Sequence, residues 1–145
     1  MTRIIKEMEI NVPLDRLFNF VADYTNATKY IEHLVRFEPT TEIKRGKGAR
    51  FDMIGKIFGI PFEFQLEVVD FVENRGWRLK PISGAQIEIQ WLFRSTEKGT
   101  RVTYLTKYRV PFGLMGTIID GLIVRRVARK GVEKTLQKLK DLLEK

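Results

Sequence analysis

RVTYLTKYRV, residues 101–110, sets Val102, Tyr104, Thr106, Tyr108 and Val110 on one face, then leads through Pro111 into a helical segment that runs to Lys145. A period of two marks a strand with one buried side. A strand feeding a single long helix is the combination that decides the architecture. Ahead of it come a short N-terminal strand, a small helical patch and a run of alternating strands. That order predicts a curved antiparallel sheet wrapped around one C-terminal helix. Such an arrangement can enclose a cavity instead of a solid core, so ligand binding is the first functional expectation.

The preceding segments repeat the strand pattern. Ala85 to Arg94 turns Ile87, Ile89, Trp91 and Phe93 inward and Gln86, Glu88 and Gln90 outward. Trp77 and Leu79 share a face in a short strand that Pro81 is expected to end. Pro61 to Phe71 places Phe62, Phe64, Leu66 and Val68 on one side, opposite Glu63, Gln65 and Glu67. Val35 to Lys44 and Ala49 to Lys56 form a further pair, joined by the turn-like Arg45-Gly46-Lys47-Gly48. At the N-terminus, Arg3 to Val12 aligns Ile4, Met8, Ile10 and Val12, and Lys6 shares their parity. Clean alternation describes an antiparallel sheet wet on one side, not a parallel sheet buried on both. Between the first and second strands, Pro13 opens a helix carrying Leu14, Leu17, Phe18, Val21 and Ala22 at three- and four-residue steps. Asn26 starts a second short helix to about Ile31. The class is α+β, with seven strands and one domain over residues 1–145.

Composition narrows the function. The 145 residues contain no cysteine and one histidine, which excludes disulfides and thiolate metal sites. The first residues lack the apolar run of a signal peptide, and Val110 to Val124 is too short to span a bilayer and contains Asp120. The expectation is a soluble cytoplasmic protein. The net charge of +8 is uneven: residues 101–145 carry 11 basic and 4 acidic side chains, leaving 15 and 14 for the first hundred. A basic end attracts acidic partners or anionic lipid, or serves as a solvated helix face. Along the helix, Gly121, Val124, Ala128, Gly131, Thr135, Leu139 and Leu142 form a stripe. A glycine inside a helix costs about 1 kcal/mol against alanine, so Gly121 and Gly131 call for a reason. Close approach of helix and sheet is one; space for a ligand is the other.

The order of strand, two short helices, six strands and long helix resembles the helix-grip superfamily. That group includes birch-pollen allergens, START lipid-transfer domains, coenzyme-Q-binding proteins and aromatic polyketide cyclases. The resemblance spans the chain and rests on Ile10-Asn11-Val12-Pro13-Leu14-Asp15-Arg16-Leu17-Phe18 leading to Val21-Ala22-Asp23-Tyr24, on Gly46-Lys47-Gly48-Ala49-Arg50-Phe51, on Trp91-Leu92-Phe93 before Gly99-Thr100-Arg101-Val102-Thr103-Tyr104, and on Leu136 to Glu144. It implies a cavity between sheet and helix, entered past three loops. Those map to Gly55–Pro61, Pro81–Ala85 and Pro111–Gly116, where Ile57, Phe58, Ile60, Ile82, Phe112, Leu114 and Met115 are apolar and would act as gates. Glycines 55, 59, 84, 113 and 116 would let those loops move.

The expected cavity wall comprises Phe62, Phe64, Leu66, Ile89, Trp91, Phe93, Tyr104, Thr106, Tyr108, Gly121, Val124 and Ala128, with Lys6 as an inward cation for an anionic head group. No catalytic set, metal site or cofactor is expected, since the inner faces offer almost no converging titratable groups. His33 reads as a surface loop residue. Arg125, Arg126, Arg129 and Lys130 beside apolar neighbours resemble an interfacial helix, able to touch an anionic membrane or a partner. Nucleic acid is disfavoured because the aromatics lie on inner faces. The leading expectation is a carrier or binder of a lipid, quinone or polyketide-like molecule. Two alternatives stay open: a cyclase or dehydratase using Tyr104, Tyr108 and Lys6, and an adaptor working through the basic helix. Oligomeric state is not legible.

Overall fold

The computed structural model describes residues 2–109 and 121–145. Seven strands, β1 (Thr2–Ile10), β2 (Leu34–Pro39), β3 (Arg50–Ile57), β4 (Ile60–Val72), β5 (Gly76–Gly84), β6 (Ile87–Ser95) and β7 (Thr100–Tyr108), form one sheet in the order β1-β7-β6-β5-β4-β3-β2. Each neighbouring pair is antiparallel. Between β1 and β2 lie α1 (Leu14–Ala22), a 3-10 turn (Tyr24–Asn26) and α2 (Ala27–Tyr30); α3 (Gly121–Leu143) follows β7. This is the curled half-barrel gripped by a helix that the pattern predicts.

Alternation fixes which face meets α3. Phe64, Leu66 and Val68 of β4 are buried, as are Ile89, Trp91 and Phe93 of β6 and Val102, Tyr104 and Tyr108 of β7. A slip of one residue would turn every one of them to solvent, so register is strongly specified. From the helical side, Val124, Val132, Leu136, Leu139 and Leu143 enter the same core at three-, four- and eight-residue steps. At 1.5 Å per residue, α3 is roughly 35 Å long; it packs most closely along β1 and against α2.

One end of that interior is largely filled by aromatic rings. Phe18 of α1 is fully buried and meets three rings edge-on: Phe71 at 5.6 Å, Trp77 at 5.3 Å and Phe93 at 5.2 Å. Edge-to-face pairs add about 0.5–1.5 kcal/mol each beyond area burial. The Arg45 guanidinium lies 5.5 Å from the Phe18 ring and 5.4 Å from Phe71, held there by Glu73 at 2.6 Å. The β2–β3 connection thereby covers the aromatic cluster with a cation.

Two expectations about strands are corrected. Pro81 does not end β5; the strand continues to Gly84, with Pro81 opposite Leu66 beside a register shift. β5 pairs with β6 only over Gly76–Leu79, so beyond Leu79 no second neighbour needs the missing N–H. Gly55 is not a loop hinge either. It lies in β3 opposite Phe62, and a Cβ there would overlap the Phe62 ring, so the absent side chain seats that ring.

Candidate functional site: an apolar cavity beneath the C-terminal helix

Away from the aromatic cluster the interior opens into a cavity of about 130 Å³. The sheet contributes Met53, Gly55, Ile57, Phe62, Phe64, Ile87, Ile89, Tyr104, Thr106 and Tyr108; α3 contributes Val124, Ala128, Gly131, Val132 and Thr135. The remaining wall is Ile31, Glu32, His33 and Leu34, where the chain passes from α2 into β2. The wall is overwhelmingly apolar, with a few polar groups at fixed places, the usual make-up of a small-molecule site.

Of the expected wall residues, Phe62, Phe64, Ile89, Tyr104, Thr106, Tyr108, Val124 and Ala128 come together here. Trp91 does not; it stacks on Tyr104 at 4.2 Å and borders a separate space of about 50 Å³ under α1 and α2. Leu66 is fully buried and Phe93 belongs to the Phe18 cluster, so both are packing residues. Gly121 is exposed with nothing within 4 Å of where a Cβ would be, and the structure gives no reason for a glycine there. Lys6 keeps its predicted parity but ends outside the cavity, 3.4 Å from Glu133 at the seam between β1 and α3. An acidic residue on the helix flank offers a hydrated partner, which an apolar interior does not.

The gates resolve unevenly. Ile57 is buried and part of the wall, whereas Phe58 is 57% exposed at the tip of the β3–β4 hairpin. Phe58 and Gly59 both have positive φ, 53° and 76°, the tight two-residue turn whose twist suits a hairpin. Ile60 is half-buried and Ile82 exposed. Phe112, Leu114 and Met115 lie outside the described residues. Arg125, Arg126, Arg129 and Lys130 all face solvent on α3.

His33 is the main correction. It is half-buried in the cavity wall, not a surface residue. Its φ is 68°, a left-handed conformation in which histidine is among the enriched non-glycine types. Its carbonyl accepts from Lys56 N–H at 2.8 Å, and the neighbouring Glu32 N–H donates to Thr135 Oγ1 at 3.0 Å. Thr135 Oγ1 in turn donates to Gly131 O at 2.7 Å, tying the connection to α3. Glu32 pairs with Lys138 at 2.5 Å, and that hydrogen bond holds its carboxyl below the ordinary range. Burial pulls the His33 imidazole down, favouring its neutral form. No periodic signal marks this segment; only the lone histidine after a short helix could have drawn notice.

Across the cavity the Tyr108 hydroxyl is buried and makes no full hydrogen bond, although Thr2 stands opposite it. Burial pushes both Tyr104 and Tyr108 upward, so both phenols stay protonated. Among the described residues no group of three or more His, Asp or Glu side chains could hold a metal ion. None of the described helices is long and apolar enough to cross a membrane.

Comparison with known proteins agrees with this geometry. Residues 10–139 match the family model described as polyketide cyclase / dehydrase and lipid transport. No curated protein matches the sequence. Among solved structures, one from Thermus thermophilus superposes with a TM-score of 0.81 at 19% identity, covering 97% of this chain and 95% of its own. A START superfamily protein from Mycobacterium smegmatis gives 0.79 at 14% identity, covering 98% and 97%. The di-domain ARO/CYC StfQ from the steffimycin biosynthetic pathway gives 0.74 at 15%, covering 98% of this chain and 50% of that one. At these identities the likeness is one of fold.

Proposed function

The chain belongs to the polyketide cyclase / dehydrase and lipid-transport family, and from that premise we propose that it binds and carries a hydrophobic small molecule without transforming it. One observation carries the reading: the space between sheet and α3 is lined by apolar side chains and holds about 130 Å³, while the far end is largely filled by aromatic rings and keeps only about 50 Å³. An empty apolar cavity forfeits dispersion contacts on every wall, which an apolar guest restores. Denaturing the purified protein and analysing the released small molecules by mass spectrometry tests this. A bound apolar compound, or saturable uptake of an apolar dye, is expected; the absence of both would reject it.

A second reading, a cyclase or dehydratase, draws on the polar groups that share the wall. Tyr104 and Tyr108 are both there, while Lys6 is not and drops out of that set. Turnover of a polyketide substrate that survives changing both tyrosines to phenylalanine would remove their roles. The exposed basic face of α3 supports a further proposal, transient contact with anionic lipid during exchange. Charge reversal at Arg125, Arg126 and Arg129 should abolish binding to anionic vesicles; unchanged binding rejects the contact.

A further inference from the structure

We propose that the cavity takes a ligand built on one small ring with a single hydrogen-bonding substituent, and that His33 is the residue that receives the substituent. This rests on the binding reading above and narrows it.

Size comes first. Pockets for drug-sized ligands measure roughly 300–1,000 Å³. The cavity here is about 130 Å³, close to the roughly 150 Å³ that accommodates benzene in an engineered apolar cavity. One ring matches such a volume, whereas an extended acyl chain or a multi-ring polyketide exceeds it. The flat faces of Phe62, Phe64 and Tyr104 and the branched side chains of Ile89, Val124 and Val132 suit it.

Position of the polar contact comes second. His33 joins the wall through a segment fixed at three points: the Lys56 N–H on its carbonyl, the Glu32 N–H on Thr135, and Gly131 against the ring. A left-handed backbone at a non-glycine residue persists only where its surroundings hold it, and such positions gather at binding sites. The imidazole enters no hydrogen bond with another side chain among the described residues; its backbone contact at Lys56 uses one ring nitrogen, so the other is available to a guest. Tyr108 also carries an unpartnered polar atom, but it faces Thr2 on the neighbouring strand.

The test titrates the full chain with phenol, toluene and dodecanoate, following backbone amides and the His33 imidazole by NMR. Both rings should saturate shifts at Ile89, Ala128 and Val132. Phenol should bind about three- to tenfold more tightly than toluene, the value of one net hydrogen bond, and phenol alone should move the imidazole nitrogens. In His33→Phe the toluene affinity should persist and the phenol preference vanish. Because phenylalanine is strained at that φ, the wild-type imidazole response decides alone if the variant does not fold. Equal affinities for the two rings would overturn the role of His33, as would a preference that survives in His33→Phe and disappears in Tyr108→Phe. Dodecanoate binding without ring binding would overturn the ligand class yet leave the cavity reading standing. No saturable binding by any of the three would overturn the cavity reading itself.

Discussion

Gly131 of α3 lies directly against the imidazole of His33: a Cβ at 131 would stand 3.1 Å from its Cδ2 and 3.3 Å from Nε2. The helix glycine is therefore explained by close approach, though to the α2–β2 connection and not to the sheet. An alanine there gains about 1 kcal/mol of helix propensity and pushes the ring by a few tenths of an ångström. Leucine cannot be accommodated that way. Gly131→Ala should leave stability within about 0.5 kcal/mol, while Gly131→Leu should lose about 1–3 kcal/mol to overpacking. Urea unfolding of both variants checks this; a leucine variant as stable as the parent would refute it.

Stability should rise with pH through the region just below the ordinary histidine value of 6.5. The imidazole is lowered in the fold, so between its folded and unfolded pKa values the unfolded chain binds more protons. Its contribution is fully present above 6.5 and is lost as the pH falls. Burial is the main cause; Lys134 and Lys138 act in the same direction, while Glu32 and a backbone hydrogen bond from the ring to Lys56 oppose it. The lowered Glu32 carboxyl adds a second loss at still lower pH, as the pH passes below its ordinary 4.5. In His33→Asn the upper slope should flatten and the lower one remain. A parent curve flat from pH 7 to about 5 would contradict the assignment.

The two ends of the interior should respond differently to truncation. Phe18→Ala removes a fully buried ring that touches three others and should cost about 3–5 kcal/mol. Phe62 is half-buried at the cavity wall. Phe62→Ala should cost clearly less and enlarge the cavity, admitting a two-ring dye that the parent excludes. Equal losses, with no gain in dye uptake, would show that the two ends are packed alike.

Two tyrosine hydroxyls make opposite forecasts. Tyr30 donates to Val21 O at 3.2 Å, so Tyr30→Phe should destabilise by about 1 kcal/mol. Tyr108 has a buried hydroxyl without a full partner, so Tyr108→Phe should stabilise by about 1 kcal/mol. Thermal unfolding of the pair reads both signs. A destabilised Tyr108→Phe would mean that its hydroxyl is satisfied.

The periodic parts of the chain were readable. The inward set Phe64, Leu66 and Val68 against outward Glu63 and Gln65 follows from a repeat of two, and the same rule placed Tyr104 and Tyr108 in the cavity wall. What escaped depends on contacts distant in sequence. Pro81 is tolerated because β6 leaves β5 after Leu79, which no property of residues 76–84 announces. Gly55 serves a ring on the next strand, and Lys6 meets a helix residue more than a hundred positions away. His33 was missed because the connection holding it follows no repeat; its place is set by Lys56, Thr135 and Gly131.

Tyr104 belongs both to the cavity wall and to the stack on Trp91, 4.2 Å ring to ring. Whatever occupies the cavity therefore alters the surroundings of a phenol that lies flat on an indole. The second indole, Trp77, sits in the aromatic cluster, 6.3 Å from the first. The molecule thus carries its own optical sensor: intrinsic fluorescence registers filling of the cavity without any added label, and replacing Trp77 by phenylalanine isolates the signal of the indole stacked on its wall.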